Sequence, residues 1–204
     1  MDFLTALTFT GVIFIFMATP GPGTLAVVSR SLGSGFKHAL FMAGGMVLGD
    51  IIFLLLSIFG LGIIASTLGT LFEVIKVIGG LYLVYLGYKI FMAKTSHFDT
   101  TLEKKTSYSG DFFSGLFITL GNPKVIAFYI GFLPTFVNIS RLTTKDILLV
   151  TFLVLGVLST VLTTYAYFAS KTKDAIKRPK TQNIMNKTAG SIMILIGCLL
   201  VVKR

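Results

Sequence analysis

The sequence predicts an all-α integral membrane protein with six transmembrane helices, arranged as two inverted repeats of three helices. Three observations predict this fold: an apolar composition, long uncharged runs, and one polar stretch that divides these runs into two groups. Of the 204 residues, 54% are hydrophobic and 13% are charged, and the mean hydropathy is +0.87. A soluble domain carries about a quarter charged residues, so this chain has too little polar surface for a water-soluble globule.

The uncharged runs are long enough to cross a bilayer, which takes roughly 20 mostly apolar residues. Residues 3–29 and 147–170 contain no charged side chain, and residues 39–72 contain only Asp50. We expect helices at 3–28, 36–64, 71–92, 112–135, 146–170 and 184–202.

A polar stretch at residues 93–111 separates the first predicted repeat, residues 1–92, from the second, residues 112–204. Because each repeat has three spans, the second enters the membrane from the opposite side, as in many secondary transporters. The first helix of each repeat is broken by proline and glycine, in TPGPG at 19–23 and GNPK at 121–124. Because the chain is rich in glycine, the similarity of these two motifs could also arise by chance. The whole chain is then one transmembrane transporter domain, residues 1–204.

The basic residues predict the orientation, since loops rich in lysine and arginine stay in the cytoplasm. Twelve lie in the 1–2, 3–4 and 5–6 loops, with Arg30 counted among them, and four lie on the other side. Both termini are therefore expected outside, and His38 and His97 in solvent on the cytoplasmic side. The net charge of +10 lies between apolar segments, so we expect membrane lipid and no nucleic acid as a partner.

Asp50 and Lys124 are the charged residues with the strongest predicted role in transport. A carboxylate inside a bilayer costs at least ~2.5 kcal/mol, so Asp50 requires a partner or a function. At 1.5 Å per residue, Asp50 lies ~20 Å from Lys37, and Lys124 lies ~18 Å from Phe112. The two charges should therefore reach similar depth, where they could bind a proton or a zwitterion, or form only a structural ion pair.

The two predicted breaks free backbone groups inside the membrane, which is tolerated where protein or a water-lined cavity satisfies them. Such breaks favour a binding site, although an ordinary proline kink is the alternative. The spacing of Gly45 and Gly49 is typical of close helix packing. Lys76 could line an outer vestibule or pair locally with Glu73. A single cysteine, Cys198, and the absence of paired intramembrane carboxylates predict no metal site, no cofactor and no enzyme activity.

Three segments resemble the LysE/RhtB amino-acid exporters, the lysine and homoserine/threonine efflux proteins of bacterial inner membranes. They are TPGPGTLAVVSRSLGSGFKHALFMAGGMVLGD, KVIGGLYLVYLGYKIF and FFSGLFITLGNPKVIAFYIGFLPTF. The resemblance covers nearly the whole chain. It implies a multi-pass inner-membrane protein that exports amino acids or their derivatives, driven by the proton gradient.

The resemblance also implies a set of substrate- and proton-binding positions. These are Pro20, Gly21, Pro22, Asp50, Lys76, Asn122, Pro123 and Lys124. Gly23 stands where the family usually has asparagine, so a substrate contact at that position is in doubt. The alternatives are a channel, another membrane protein without active transport, or an exporter of another small solute. The sequence is also compatible with a homo-oligomer.

Overall fold

Nine α-helices make up most of the described part of a computed structural model, which comprises residues 3–67, 69–93, 107–137, 142–171 and 179–202. No strand occurs in these ranges, as an all-α fold requires. A π turn, Phe128–Phe132, joins α6 to α7. The helices are α1 Phe3–Ala18, α2 Pro22–Ser34, α3 Phe36–Thr67, α4 Gly69–Met92, α5 Tyr108–Leu120, α6 Pro123–Ala127, α7 Leu133–Phe136, α8 Thr144–Lys171 and α9 Pro179–Val202.

Two pairs of consecutive helices meet at sharp bends beside proline. α1 and α2 bend by 57°, and α5 and the helical segment Pro123–Gly131 bend by 49°. The residue before a proline is pushed out of the α region by the proline ring. Gly21 is accordingly extended, with φ −153° and ψ −176°, and Asn122 has φ −85° and ψ 108°. Each proline then opens the next helix, where its missing N–H costs nothing.

Two of the described helices are long and apolar enough to cross a membrane alone, namely α3 over Phe36–Gly60 and α8. Each bent pair adds one further span if its two helices cross together, which gives up to four. The apolar part of α4, Val77–Met92, is shorter. The arrangement of six spans in two inverted repeats stays a prediction.

The core lies between α1, α3, α8 and the π turn, where Ile13, Leu54, Tyr129 and Val154 are fully or almost fully buried. Many large apolar side chains instead point outward, and Phe152 is 73% exposed. Apolar side chains on the outer faces of long apolar helices suit contact with lipid. The described helices therefore show the surface of a membrane protein.

Glycine allows α3 to pack directly on the backbone of α5. A Cβ at Gly45 would overlap the carbonyl oxygen of Phe112, and one at Gly115 would overlap that of Met42. A Cβ at Gly49 would lie 2.8 Å from the Thr119 side chain. Later residues of α3 contact later residues of α5, so the two helices run parallel. The prediction that Gly45 and Gly49 serve close packing is confirmed.

A second glycine contact joins α4 to α9. A Cβ at Gly190 would lie 2.6 Å from the carbonyl oxygen of Gly87, and one at Gly197 would lie 2.6 Å from that of Gly80. The order of these contacts is reversed between the two helices, so α4 and α9 run antiparallel.

Some predicted helix ends were misplaced by several residues. The first predicted helix ended at 28, whereas α2 runs on to Ser34, and α9 begins at Pro179 rather than 184. α5 begins at Tyr108 rather than 112, because the Ser107 hydroxyl accepts a hydrogen bond from the Gly110 N–H (3.2 Å) and caps the helix. The prediction stopped where apolar residues stopped, whereas a polar cap sets the start of α5.

Candidate functional site

A small cavity lies where the two bends face each other, between α1, α3 and α8. Its volume is about 50 Å³, room for a few water molecules. Its polar lining consists of Thr24, Asp50, Thr119, Asn122 and Lys124, and the remainder of the wall is glycine, methionine, phenylalanine, valine and leucine. A carboxylate and an ammonium therefore share one small, mostly apolar space.

Lys124 is buried and bound to the end of α1. Its Nζ donates hydrogen bonds to the carbonyl oxygens of Phe16 (2.8 Å) and Thr19 (2.6 Å) and lies 4.6 Å from the centre of the Phe16 ring. These carbonyls belong to the turn where α1 ends, and a helix end leaves such groups without a partner in its own helix. The lysine of the second bend thus satisfies the backbone of the first.

Asp50 is 5% exposed and reaches the same cavity from α3. It interacts electrostatically with Lys124 across the cavity, but the two groups are not in direct ion-pair contact. The Tyr129 hydroxyl is buried and faces the Asp50 carboxylate without a standard hydrogen-bond geometry. Lys124 is therefore held by backbone carbonyls and not by the Asp50 carboxylate.

The first bend is closed by Thr24 and covered by Lys124. The Thr24 hydroxyl accepts from the Gly21 N–H (2.7 Å) and donates to the Gly21 carbonyl oxygen (2.9 Å). A Cβ at Gly21 would lie 3.1 Å from the Lys124 Cδ, so glycine lets the lysine cross the bend. The Leu25 N–H donates to the Gly21 carbonyl oxygen at 2.9 Å, which engages that amide within the helix.

The second bend is closed by Asn122. Its Oδ1 accepts from the Lys124 N–H (3.1 Å), and its carbonyl oxygen accepts from the Ile126 N–H (3.1 Å). Its Nδ2 would lie 3.7 Å from a Cβ added at Gly23. The Asn122 side-chain amide therefore lies next to Gly23, which has no side chain of its own.

The structure brings five of the predicted site residues to one cavity. They are Gly21, Gly23, Asp50, Asn122 and Lys124. The three prolines do not line it and act through the backbone bends, where Pro22 and Pro123 open helices. The side chain of Lys76 lies outside the described residues.

Three residues predicted in loops instead belong to one ionic network. Arg30 and Asp111 are each 2% exposed and form an ion pair of 2.5 Å between α2 and α5. His38 Nδ1 lies 2.6 Å from the other Asp111 oxygen, and its ring packs on Tyr108. The predictions of Arg30 as a loop residue and of His38 as solvated were therefore wrong. His97 lies outside the described residues.

Tyr165 and Tyr129 are the functional candidates that sequence reasoning missed. The Tyr165 hydroxyl donates to the carbonyl oxygen of Ala18 (2.7 Å), beside the first bend. The Ser57 hydroxyl donates to the carbonyl oxygen of Tyr129 (2.6 Å) in the π turn, and the Tyr129 side chain interacts with Asp50. A π turn often occurs at a functional site. In the sequence, each of these two residues is only a tyrosine in an apolar run, which is a common pattern.

No group of three His, Cys, Asp or Glu side chains that could hold a metal ion occurs in the part of the chain that the structure describes. The profile of the LysE type translocators matches residues 14–204, which spans both bends and the cavity. The chain belongs to the LysE type translocator family. With its long apolar helices, this LysE family member is a multi-pass membrane protein.

Similar proteins span the chain to different extents. An uncharacterized membrane protein of Synechocystis sp. is 36% identical over 202 residues, 99% of this chain and 98% of its own length. A homoserine/homoserine lactone efflux protein of Salmonella typhimurium is 30% identical over 186 residues, 91% of this chain and 90% of its own. A leucine efflux protein of Salmonella choleraesuis is 36% identical over 131 residues, 64% of this chain and only 61% of its own. No solved structure matches the chain.

Proposed function

We propose that this LysE family member exports an amino acid or a close derivative across a bacterial inner membrane, driven by the proton gradient. The observation that carries the proposal is the pair of buried opposite charges, Asp50 and Lys124, at one cavity between two broken helices. The efflux activities named for the leucine and homoserine relatives give the same substrate class.

An amino acid carries an ammonium and a carboxylate, so its site needs one acceptor and one donor. Asp50 accepts the substrate ammonium. Lys124 has three N–H donors, of which two bind the carbonyls of Phe16 and Thr19, and the third is available for the substrate carboxylate. The start of α2, which reaches the cavity at Gly23 and Thr24, adds the positive end of a helix dipole.

Proton coupling follows from competition at Asp50. Without substrate, the carboxylate and the Lys124 ammonium offset each other, which lowers the cost of burying either charge. A substrate ammonium takes the place of that interaction. Protonation of Asp50 then removes its charge and releases the ammonium, so one carboxylate serves proton and substrate in turn.

The cavity is smaller than a typical ligand site. Ligand pockets typically measure ~300–1,000 Å³, whereas this cavity measures about 50 Å³. Entry of an amino acid therefore requires the helices around the bends to separate. Alternating access between inverted repeats supplies such a movement, and the antiparallel glycine contact of α4 with α9 is the one that a two-fold axis between the repeats would map onto itself.

The test uses proteoliposomes loaded with a mixture of amino acids, assayed with and without an uncoupler. We expect one amino acid or a few to move against their gradient, with loss of this transport in the uncoupler and in Asp50→Asn. Asp146→Asn at the exposed start of α8 is the matched control and should transport normally. Uncoupler-insensitive efflux would indicate the alternative, a passive channel, and normal export by Asp50→Asn would refute the proton step.

A further inference from the structure

A second cavity, named here the outer groove, lies on the other side of the contact between α1 and α8. It measures about 380 Å³ and is bounded by α1, α2, α8 and α9. Phe14 and Phe168 at its edge are 51% and 57% exposed, so it opens at the outer surface of the helices. Val28, Val161 and Met185 supply most of the remaining apolar wall.

The polar groups in the outer groove are all satisfied within the protein. The Thr160 hydroxyl donates to the Gly156 carbonyl oxygen (2.7 Å), and the Thr164 hydroxyl donates to that of Thr160 (2.7 Å). The Tyr165 hydroxyl is bound to the Ala18 carbonyl oxygen. Unlike the cavity at Asp50, the groove offers a ligand hydrocarbon contact and no charged partner.

The stretch of sequence from the end of α8 to the start of α9 is rich in basic residues. Residues 171–180, between α8 and α9, contain five lysines and arginines and one aspartate. Of these, Lys171 and Lys180 are exposed in the described helices. At 1.5 Å per residue, Lys171 lies ~4.5 Å along α8 from Phe168, and Lys180 lies ~7.5 Å along α9 from Met185.

We propose that the outer groove binds an acyl chain of an anionic phospholipid, whose phosphate lies against Lys171 and Lys180. Basic residues at the ends of transmembrane helices recognise anionic headgroups, and the apolar wall suits the chain. The bound chain would contact Tyr165, next to the first bend.

The test is native mass spectrometry of the purified protein with phosphatidylglycerol and phosphatidylcholine of the same acyl chains. We expect a preference for phosphatidylglycerol. Each of Lys171→Gln and Lys180→Gln lowers this preference up to about fivefold, since a lysine near an anionic surface contributes ~1 kcal/mol. Lys145→Gln, at the opposite end of α8, leaves it unchanged.

Variants that fill the groove test binding of the acyl chain separately from binding of the headgroup. Thr164→Phe, inside the groove, should lower retention of both lipids, whereas Thr163→Phe, exposed on the same helix outside the groove, should not. If Thr164→Phe does not give monodisperse protein, Met185→Trp fills the groove from α9 and is compared in the same way. Equal retention of the two lipids by the wild type overturns the proposal, as does equal behaviour of the variants inside and outside the groove. Both readouts measure lipid binding alone, so they stand independently of the transport assay.

Discussion

The two bends both lie beside proline but are held by different means. At the first bend, Lys124 binds the carbonyl oxygens of Phe16 and Thr19, and Tyr165 binds that of Ala18. Both side chains come from more than a hundred residues away. The second bend is closed by its own turn, through the side chain and carbonyl of Asn122.

The helices that precede the bends, α1 and α5, also differ in how their neighbours hold them. α5 rests on α3 through backbone contact at Gly45 and Gly115. α1 lies against α8, and a Cβ at Gly11 would meet nothing within 4 Å. One broken helix is thus clamped through its backbone, and the other is held by side chains and hydrogen bonds.

This difference indicates which of the two helices, α1 or α5, moves when the cavity opens. A hydrogen bond contributes ~1 kcal/mol net and can be exchanged for one to water or substrate. A backbone contact between helices can be released only by separating the whole interface. We therefore expect the end of α1 to move during transport, while α5 stays with α3.

Gly115→Ala tests the clamp and should have the largest effect. The new Cβ would overlap the Met42 carbonyl oxygen, which belongs to backbone and cannot turn away. Overpacking typically costs ~1–3 kcal/mol, and we expect a loss at or above the upper end of this range. The measurement is thermal unfolding in detergent. Gly11→Ala in α1 is the control, and equal stability of the two variants would show that α3 does not clamp α5.

Lys124→Met tests the tie between the bends. It leaves the carbonyls of Phe16 and Thr19 without their donor, and a buried unsatisfied group costs ~1–3 kcal/mol. We expect lower stability and a loss of export of about 10- to 100-fold, since a charge-assisted bond of ~1.5–3 kcal/mol to the substrate disappears as well. Lys89→Met, at an exposed position on α4, is the control. Export at the wild-type rate would mean that Lys124 only fastens the bend.

The same comparison explains what sequence could predict here. Proline and glycine act on their own backbone, so both bends could be located, and counting residues along helices gave Asp50 and Lys124 a common depth. The carbonyl partners of Lys124 could not be predicted, because every residue carries a carbonyl and only the fold selects which are freed. Arg30 was misassigned for a related reason: counting basic residues treats each one near a helix end as solvated, and its buried partner Asp111 lies 81 positions away.

Tyr165→Phe removes one hydrogen bond to the first bend and keeps the ring. We expect the protein to lose about 1 kcal/mol of stability, the usual net value of such a bond. Because the freed Ala18 carbonyl loosens the end of α1, the rate of exchange should change while the substrate KM stays constant. Tyr88→Phe on α4, where the ring is 57% exposed, is the control. A change in KM for Tyr165→Phe, with no change in rate, would place Tyr165 in contact with substrate instead.

Asn122 tests whether the second bend is only a local cap, and its effect on stability should be no larger than that of Tyr165→Phe. Asn122→Ala removes the acceptor of the Lys124 N–H and should cost ~1 kcal/mol of stability, as loss of a helix N-cap usually does. Asn122→Ser restores an acceptor there and should recover most of that loss.

Neither replacement restores Nδ2, the atom that faces Gly23 in the cavity. If this N–H donates to the substrate carboxylate, both variants should raise the substrate KM about fivefold, the value of a hydrogen bond of ~1 kcal/mol. Stability and KM are therefore measured on the same preparations of wild type, Asn122→Ala and Asn122→Ser. If Asn122→Ser recovers both stability and KM, Asn122 serves only as a helix cap. Recovery of stability alone would mean that Asn122 caps the helix with one atom and binds substrate with another, in the place where Gly23 has no side chain to do so.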